Sequence, residues 1–313
     1  MATLLPAFLL PALLLAALLA PVAQPSAALR SPWDLHPPRA TSAAYACGAA
    51  AGSTRTALLQ AERAADTYRR TGSTPAAACA LRILGHESRA SLASLAPSAL
   101  LQAKTLAALA VVDLKIRPGV ASAAGSAARR ARIQAWLGRS ASAIRSRFAS
   151  GPVSRSRAWA AFAVMAAAIA ANRRPDYNWS VSVFSQSIHD IDLYGAIPPE
   201  MARGASAYRD HLQTAAALVM IAALGSANGQ DLYNADHKML HRLVDRCASG
   251  LYTTAWFQHQ TGHPQNAPGP RLTAADAAWL RPYLRRFPDP GLSALLHTLP
   301  SLSALDLGGL PPR

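Results

Sequence analysis

The stretch Ser154–Asn172, SRSRAWAAFAVMAAAIAAN, decides the fold. Alanine, the strongest helix former, dominates it, and no glycine or proline interrupts it. An unbroken apolar run of this length is too long for a strand and reads as a buried helix. Gly151-Pro152 breaks the chain before it, and Arg173-Arg174-Pro175 ends it. Arginines at both ends leave an uncharged core shorter than the ~20 residues that a bilayer span needs.

Working outward, the same pattern repeats. Towards the N-terminus, Ser122 to Phe148 is a long helix with Ile133, Trp136, Leu137 and Ile144 on one face. Before it, Pro97 opens a helix that is expected to stop ahead of Pro118-Gly119. Pro75 starts another that fades near Gly85, and Ser53 or Thr54 caps one running to Arg70. Towards the C-terminus, helices are expected at Asn178–His189, Met201–Leu224 and Ala235–Ser249. Asp192–Pro199 is a loop. Thr273 with Asp276 forms a capping box for a helix through Arg286, and the tail beyond is read as loop. About ten helices and no credible strand make the chain all-α. A solenoid or a toroid of paired helices fits, and the absence of a fixed repeat weighs against the solenoid.

Residues 1–28 read as a signal peptide, with an apolar run over Leu4–Leu19 and small residues at Ser26-Ala27-Ala28. An uncleaved anchor is the alternative. With cleavage the protein is periplasmic, with no stable membrane span remaining. Residues 29–52 form an irregular, Pro- and Ala-rich arm, and 53–313 form a single domain.

Of the 313 residues, 31 are Lys or Arg and 16 are Asp or Glu, a net charge of +15 that favours polyanionic partners. Leu114 to Pro175 contains no acid and holds Arg129, Arg130, Arg132, Arg139, Arg145, Arg147, Arg155 and Arg157. Export argues against nucleic acid and for acidic glycans; a genome that uses Arg for Lys is the bland alternative. Cys47 and Cys79 are near in sequence and are expected to pair, leaving Cys247 a buried thiol, against three unpaired cysteines. Nothing in their spacing suggests zinc, and no cofactor is expected.

Two further constellations are weak. His237 and His241 stand four apart, a zinc-like spacing, but Lys238 occupies the place of a metalloprotease glutamate and no third ligand is evident. Asp190 and Asp192 could pair as glycosidase carboxylates, but they precede a glycine loop, where capping is the commoner role. Of Trp159, Trp179, Trp256 and Trp279, tryptophans at helical spacing are more often core than sugar platforms.

The C-terminal half resembles the alginate lyase family of polysaccharide lyases. The ordered pieces are Trp159–Met165, Asn172-Arg173-Arg174, Met220–Ala223, Ala227-Asn228-Gly229 with Asp231-Leu232-Tyr233, and Thr261-Gly262 with Pro264-Gln265. Ala278-Trp279-Leu280 with Pro282-Tyr283, then Leu307-Gly308-Gly309, complete them; upstream, Ala78–Leu81 and Ile133 with Trp136-Leu137 also match. The resemblance implies an incomplete α/α toroid of paired antiparallel helices, a periplasmic location and a groove for a polyuronate such as alginate. It also makes Trp159 the tryptophan expected to line that groove.

Such a lyase works by β-elimination. A base removes the proton alpha to the uronate carboxylate, cationic or amide groups neutralise that carboxylate, and an acid protonates the leaving oxygen. The family supplies these through Asn-Asn-His-x-x-Trp and an arginine seven residues before a tyrosine. Here the first motif falls on Ser154–Trp159, with Ser156 at the histidine position. The arginine and tyrosine positions are Ser206 and Gln213, with His211 matching a family histidine. Serine and glutamine offer no proton-transfer group near neutrality. Arg155, Arg157, Arg203 and Tyr208, with Arg209, stand near these positions as candidate substrate contacts. A helical turn nevertheless displaces a side chain by about 5 Å, and misplacements near 1 Å already cost heavily. The expectation is a protein that binds an acidic polysaccharide with β-elimination lost or altered. The alternatives are an active lyase with relocated groups, or a helical scaffold in an exopolysaccharide synthesis or export complex.

Overall fold

The computed structural model describes residues 28–48, 53–120, 126–266 and 272–312. The signal-peptide reading for residues 1–27 lies outside them, as do 49–52 of the arm and the expected helix start at Ser122. Eight long helices carry the fold: α1 Thr54–Thr71, α2 Thr74–Glu87, α3 Ala99–Val120, α4 Ser126–Arg147, α5 Arg155–Ala170, α6 Arg174–His189, α7 Ala207–Ser226 and α8 Ala235–Tyr252. Shorter helices follow at α9 Ala255–Thr261, α10 Leu280–Arg286 and α11 Pro290–His297. No strand forms among the described residues.

Apolar content sorts the helices into two layers. In α5 every residue from Arg157 to Ala170 is buried, and α3 and α7 are nearly as enclosed. These three pack side by side as an inner wall, while α4, α6 and α8 each bury one face against it. The N-terminal turns of α1, α3, α5 and α7 meet at one mouth, where Thr54, Lys104, Trp159 and Gln213 line adjoining hollows. The inner helices thus run parallel and the outer ones return antiparallel, an α/α toroid. A large cleft lies between α1 and the pair α10 and α11.

Local chemistry sets the joints. Ser53, Ser73 and Ser154 each accept a hydrogen bond from the backbone N–H three residues on, capping α1, α2 and α5. Gly72 ends α1 at φ 73°, and a Cβ there would lie 1.7 Å from the Arg39 carbonyl oxygen. The arm is more ordered than its composition suggests. Pro32–Leu35 forms a helical turn with Trp33 buried, and Thr41 bridges to Ser73. Cys47 and Cys79 are bonded and Cys247 is a buried thiol, as the sequence reading expected.

Several boundaries differ from expectation: α6 starts at Arg174 rather than Asn178, and the helix expected from Thr273 through Arg286 is divided into Ala274–Ala277 and α10. Helix α3 runs through Pro118 to Val120 although Pro118 has no N–H to give the Leu114 carbonyl, and the Tyr68 ring packs where a Cβ on Gly119 would stand. Helix α7 begins at Ala207 rather than Met201, because Gly204 turns the chain at φ 58°. Helix α11 lies in a tail read as loop, although Asp289 caps it with Pro290 in its first turn. No helix of the described residues is long and apolar enough to cross a membrane.

Candidate functional site

The mouth is built from residues far apart in sequence. Trp159, in the second turn of α5, is 2% exposed and meets Phe162 edge-on at 5.8 Å. The Lys104 ammonium, from α3, lies 4.6 Å from the Trp159 ring centroid. It donates to Asp306 Oδ2 at 2.7 Å and to Gln213 Oε1 at 3.3 Å. A cation over indole is worth about 0.5–2 kcal/mol, depending on how far water is excluded. These groups, with Arg209 and Leu212, line a hollow of about 100 Å³. A neighbouring hollow of about 160 Å³ shares Lys104 and Asp306 and includes Arg55. At about 30 Å³ per water, the Trp159 hollow admits a carboxylate but not a sugar ring.

Of the three residues that the resemblance sets at catalytic positions, only Gln213 lines this hollow; Ser156 and Ser206 are half-buried away from it. Ser206 precedes α7 and accepts from Asn266 Nδ2 at 3.4 Å. Lys104 carried no sequence signal beyond being the one charge in the apolar first half of its helix, and Asp306 none at all.

Most of the other candidate contacts do structural work, which corrects their expected place in the groove. Tyr208 is wholly buried; its hydroxyl donates to the Cys247 carbonyl at 3.2 Å and its ring packs on Phe257. His211 is also wholly buried, donating from Nδ1 to the Ala207 carbonyl at 2.7 Å and accepting at Nε2 from the Ile197 N–H at 2.8 Å. Burial pulls its pKa down to about 4, so the imidazole is neutral. The Arg157 guanidinium donates to the Phe148 and Gly151 carbonyls at 3.4 and 3.0 Å and fixes the loop before α5. Arg155 and Arg203 both pair with the buried Asp210 carboxylate, Arg203 at 2.8 Å. Glu200 accepts from the Arg155 backbone N–H, and burial raises its pKa. Two arginines are thus spent on neutralising one buried acid rather than facing a groove.

The α4 part of the acid-free arginine belt is on the outside. Arg129, Arg132, Arg139 and Arg147 are exposed on α4, and Arg145 pairs with Asp176 at 2.8 Å. No belt arginine lines the Trp159 hollow or the large cleft. His237 falls in a left-handed turn at φ 54°, off the face that carries His241. Among the described residues no group of three or more His, Cys, Asp or Glu could hold a metal ion. Asp192 accepts from the Tyr194 and Ala196 N–H groups, each at 2.8 Å, which is the turn role.

The large cleft, about 1300 Å³, has Arg63, Arg70, Arg281 and Arg285 around it and Tyr45 at one side. Glu62 and Asp66 also line it. Asp66 pairs with the buried Lys115 at 2.6 Å and accepts from the Leu310 N–H at 2.9 Å, while Lys115 also donates to the Gly308 carbonyl. Residues 301–310 therefore act as a partition. Ser301, Leu302 and Ser303 face the cleft, and Ala304, Asp306 and Leu307 face the Trp159 hollow.

Burial pushes the Glu62 pKa from 4.5 up to about 9, with Lys115 opposing, so its carboxyl is neutral at pH 7. A pKa raised on folding contributes stability that is full below pH 4.5 and is lost as pH rises towards 9. Glu62→Gln is therefore expected to stabilise the protein at pH 7 by about 2 kcal/mol and to flatten its stability between pH 5 and 9. Urea denaturation across that range checks this; a parent-like slope in the variant contradicts it.

Comparison with known proteins fits this geometry. An alginate lyase family profile matches residues 103–257. An alginate lyase of Pseudomonas fluorescens is 29% identical over 182 residues, covering 57% of this chain and 49% of that protein. One from Pseudomonas aeruginosa is 35% identical over 125 residues, covering 40% and 34%. The chain thus spans between a third and a half of the length of these curated relatives. Among solved structures, alginate lyase A1-III from Sphingomonas species A1 superposes with a TM-score of 0.73 at 19% identity, over 83% of this chain and 76% of that one. A histidine-to-alanine variant of A1-III complexed with tetrasaccharide superposes at 0.74. At such identity the likeness speaks for the fold.

Proposed function

Because the chain belongs to the alginate lyase family, we propose that it is a periplasmic protein that binds an acidic, uronate-bearing polysaccharide without the family's β-elimination. The observation that carries this reading is the mouth itself. Trp159 and a cation, Lys104, remain there, while the only family catalytic position on the hollow is Gln213, whose amide oxygen accepts from Lys104. A cation above an aromatic ring, at the N-terminal ends of several helices, suits a carboxylate. Loss of the proton-abstraction step is supported by the hollow's polar groups: Asp306 is ion-paired with Lys104, Asp276 caps its own helix through Thr273, and Gln213 does not titrate.

The test is one incubation with polymannuronate, polyguluronate and acetylated alginate. Ultraviolet absorbance follows unsaturated product, and calorimetry follows binding. Binding without new absorbance is expected, and Lys104→Ala weakens it about tenfold, the loss of one charge-assisted contact. New absorbance on any substrate overturns the reading in favour of relocated catalysis. A second reading, a scaffold that contacts partner proteins, is favoured by the outward arginines of α4; absence of all glycan binding selects it.

A further inference from the structure

We propose that the 1300 Å³ cleft between α1 and the α10–α11 pair is a second binding site for a uronate oligosaccharide, separate from the Trp159 mouth. This rests on the polyuronate reading above and adds where a length of the chain would sit.

Size is the first argument. The mouth hollows hold about 100 and 160 Å³, whereas small-molecule sites run from about 300 Å³ upward. Of these three, only the cleft is large enough for whole sugar rings. Charge is the second. Leu59, Glu62, Arg63, Asp66, Thr67 and Arg70 all line it from one face of α1, as the helical period requires. Arg63 and Arg70 are exposed and two turns apart, so about 10 Å of helix separates two cations on the same face. Arg285 adds a third, exposed cation from the opposite wall. That spread suits a ligand with a carboxylate on successive units rather than one compact anion. The third argument is the floor. Glu62 is 2% exposed, and its Oε1 has no hydrogen-bond partner within the protein. A neutral carboxyl there can donate to a ligand carboxylate or hydroxyl, as an ionised one cannot. Tyr45 adds an aromatic residue and Leu284, Leu296 and Leu302 an apolar wall, the mixture that sugar faces use.

Residues 301–310 line both sites, so one long polymer could engage both sides of this segment and gain from linked binding. The test uses short probes to keep the sites apart. A mannuronate hexasaccharide is titrated calorimetrically into the full chain at low and at 0.5 M salt, with a neutral maltohexaose as control. The parent is expected to show two sites, both weakened by salt. The double variant Arg63→Ala/Arg70→Ala, at exposed positions, should melt like the parent, and one site should weaken at least tenfold. Lys104→Ala should affect only the other. A parent-like isotherm for the double arginine variant overturns this inference and leaves the polyuronate reading standing. Loss of the only binding event in that variant, with Lys104→Ala unchanged, supports the cleft and removes the mouth. No hexasaccharide binding by the parent overturns both.

Discussion

Replacing Lys115 by methionine lowers stability by about 3–5 kcal/mol, the cost of removing one partner from a buried ion pair. Lys115 is wholly buried near the C-terminal end of α3, 5.8 Å from the Trp33 ring, and its ammonium ends on Asp66 and the Gly308 carbonyl. Methionine matches the stem and removes the charge. Asp66 then keeps the Leu310 N–H, and Ser303 Oγ at 3.4 Å, but has no cation, and Glu62 loses the charge that moderates its burial. The effect reaches beyond the pair. Gly308 and Gly309 hold residues 304–309 in a tight turn at φ 70° and 89°, and a Cβ on Gly309 would lie 2.5 Å from Asp66 Oδ2. That turn rests against the Asp66–Lys115 pair. Urea denaturation should show the loss, and limited proteolysis should cut within 301–312 in the variant before the parent. A change below about 1 kcal/mol would place the pair among the ionic contacts that an apolar side chain replaces without penalty.

Replacing both Cys47 and Cys79 by serine is expected to cost about 3–4 kcal/mol, the loop-closure entropy for a bridge spanning 32 residues. The bridge ties the arm to α2, and Arg82 adds a bond to the Gly48 carbonyl at 2.7 Å. Without it, the arm keeps the Thr41 contacts to Gly72 and Thr74 and the Ser73 hydroxyl bond to Ala43 at 2.6 Å. Those are ordinary hydrogen bonds, each worth about 1 kcal/mol net. The control is chemical. Dithiothreitol should bring the parent's denaturation midpoint down to that of the double variant and leave the variant unmoved. A parent midpoint that ignores the reductant contradicts the prediction.

The helices, their order and the family could be read because each is written locally. The run around Trp159, the serine caps and the Thr273–Asp276 box act within a few residues of themselves. Ser156, Ser206 and Gln213, where the resemblance places the family's catalytic residues, offer no proton-transfer group near neutrality by residue type alone. Misreadings began where backbone freedom or burial outweighed spacing. Gly204 cut short the helix expected from Met201, and left-handed residues 236–238 parted His237 from His241. Tyr208 and His211, polar residues near a family motif, are core, because α7 is wrapped on nearly all sides and their polar atoms find partners in the protein.

By itself the sequence determined an all-α chain, its helical segments, a disulfide pairing and a family. These follow from propensity, capping and pattern, which need only neighbouring residues. The tertiary structure alone decided which charges line a hollow or cleft. It turned the α4 arginines outward, spent Arg155 and Arg203 on Asp210, and brought Lys104 to Asp306 across 202 positions. It also placed Glu62 at the floor of a cleft whose opposite wall comes from the far end of the chain. The reason is geometric. A helical period tells which residues share a face, but which faces meet is set by how the inner helices pack and where the last segment crosses them.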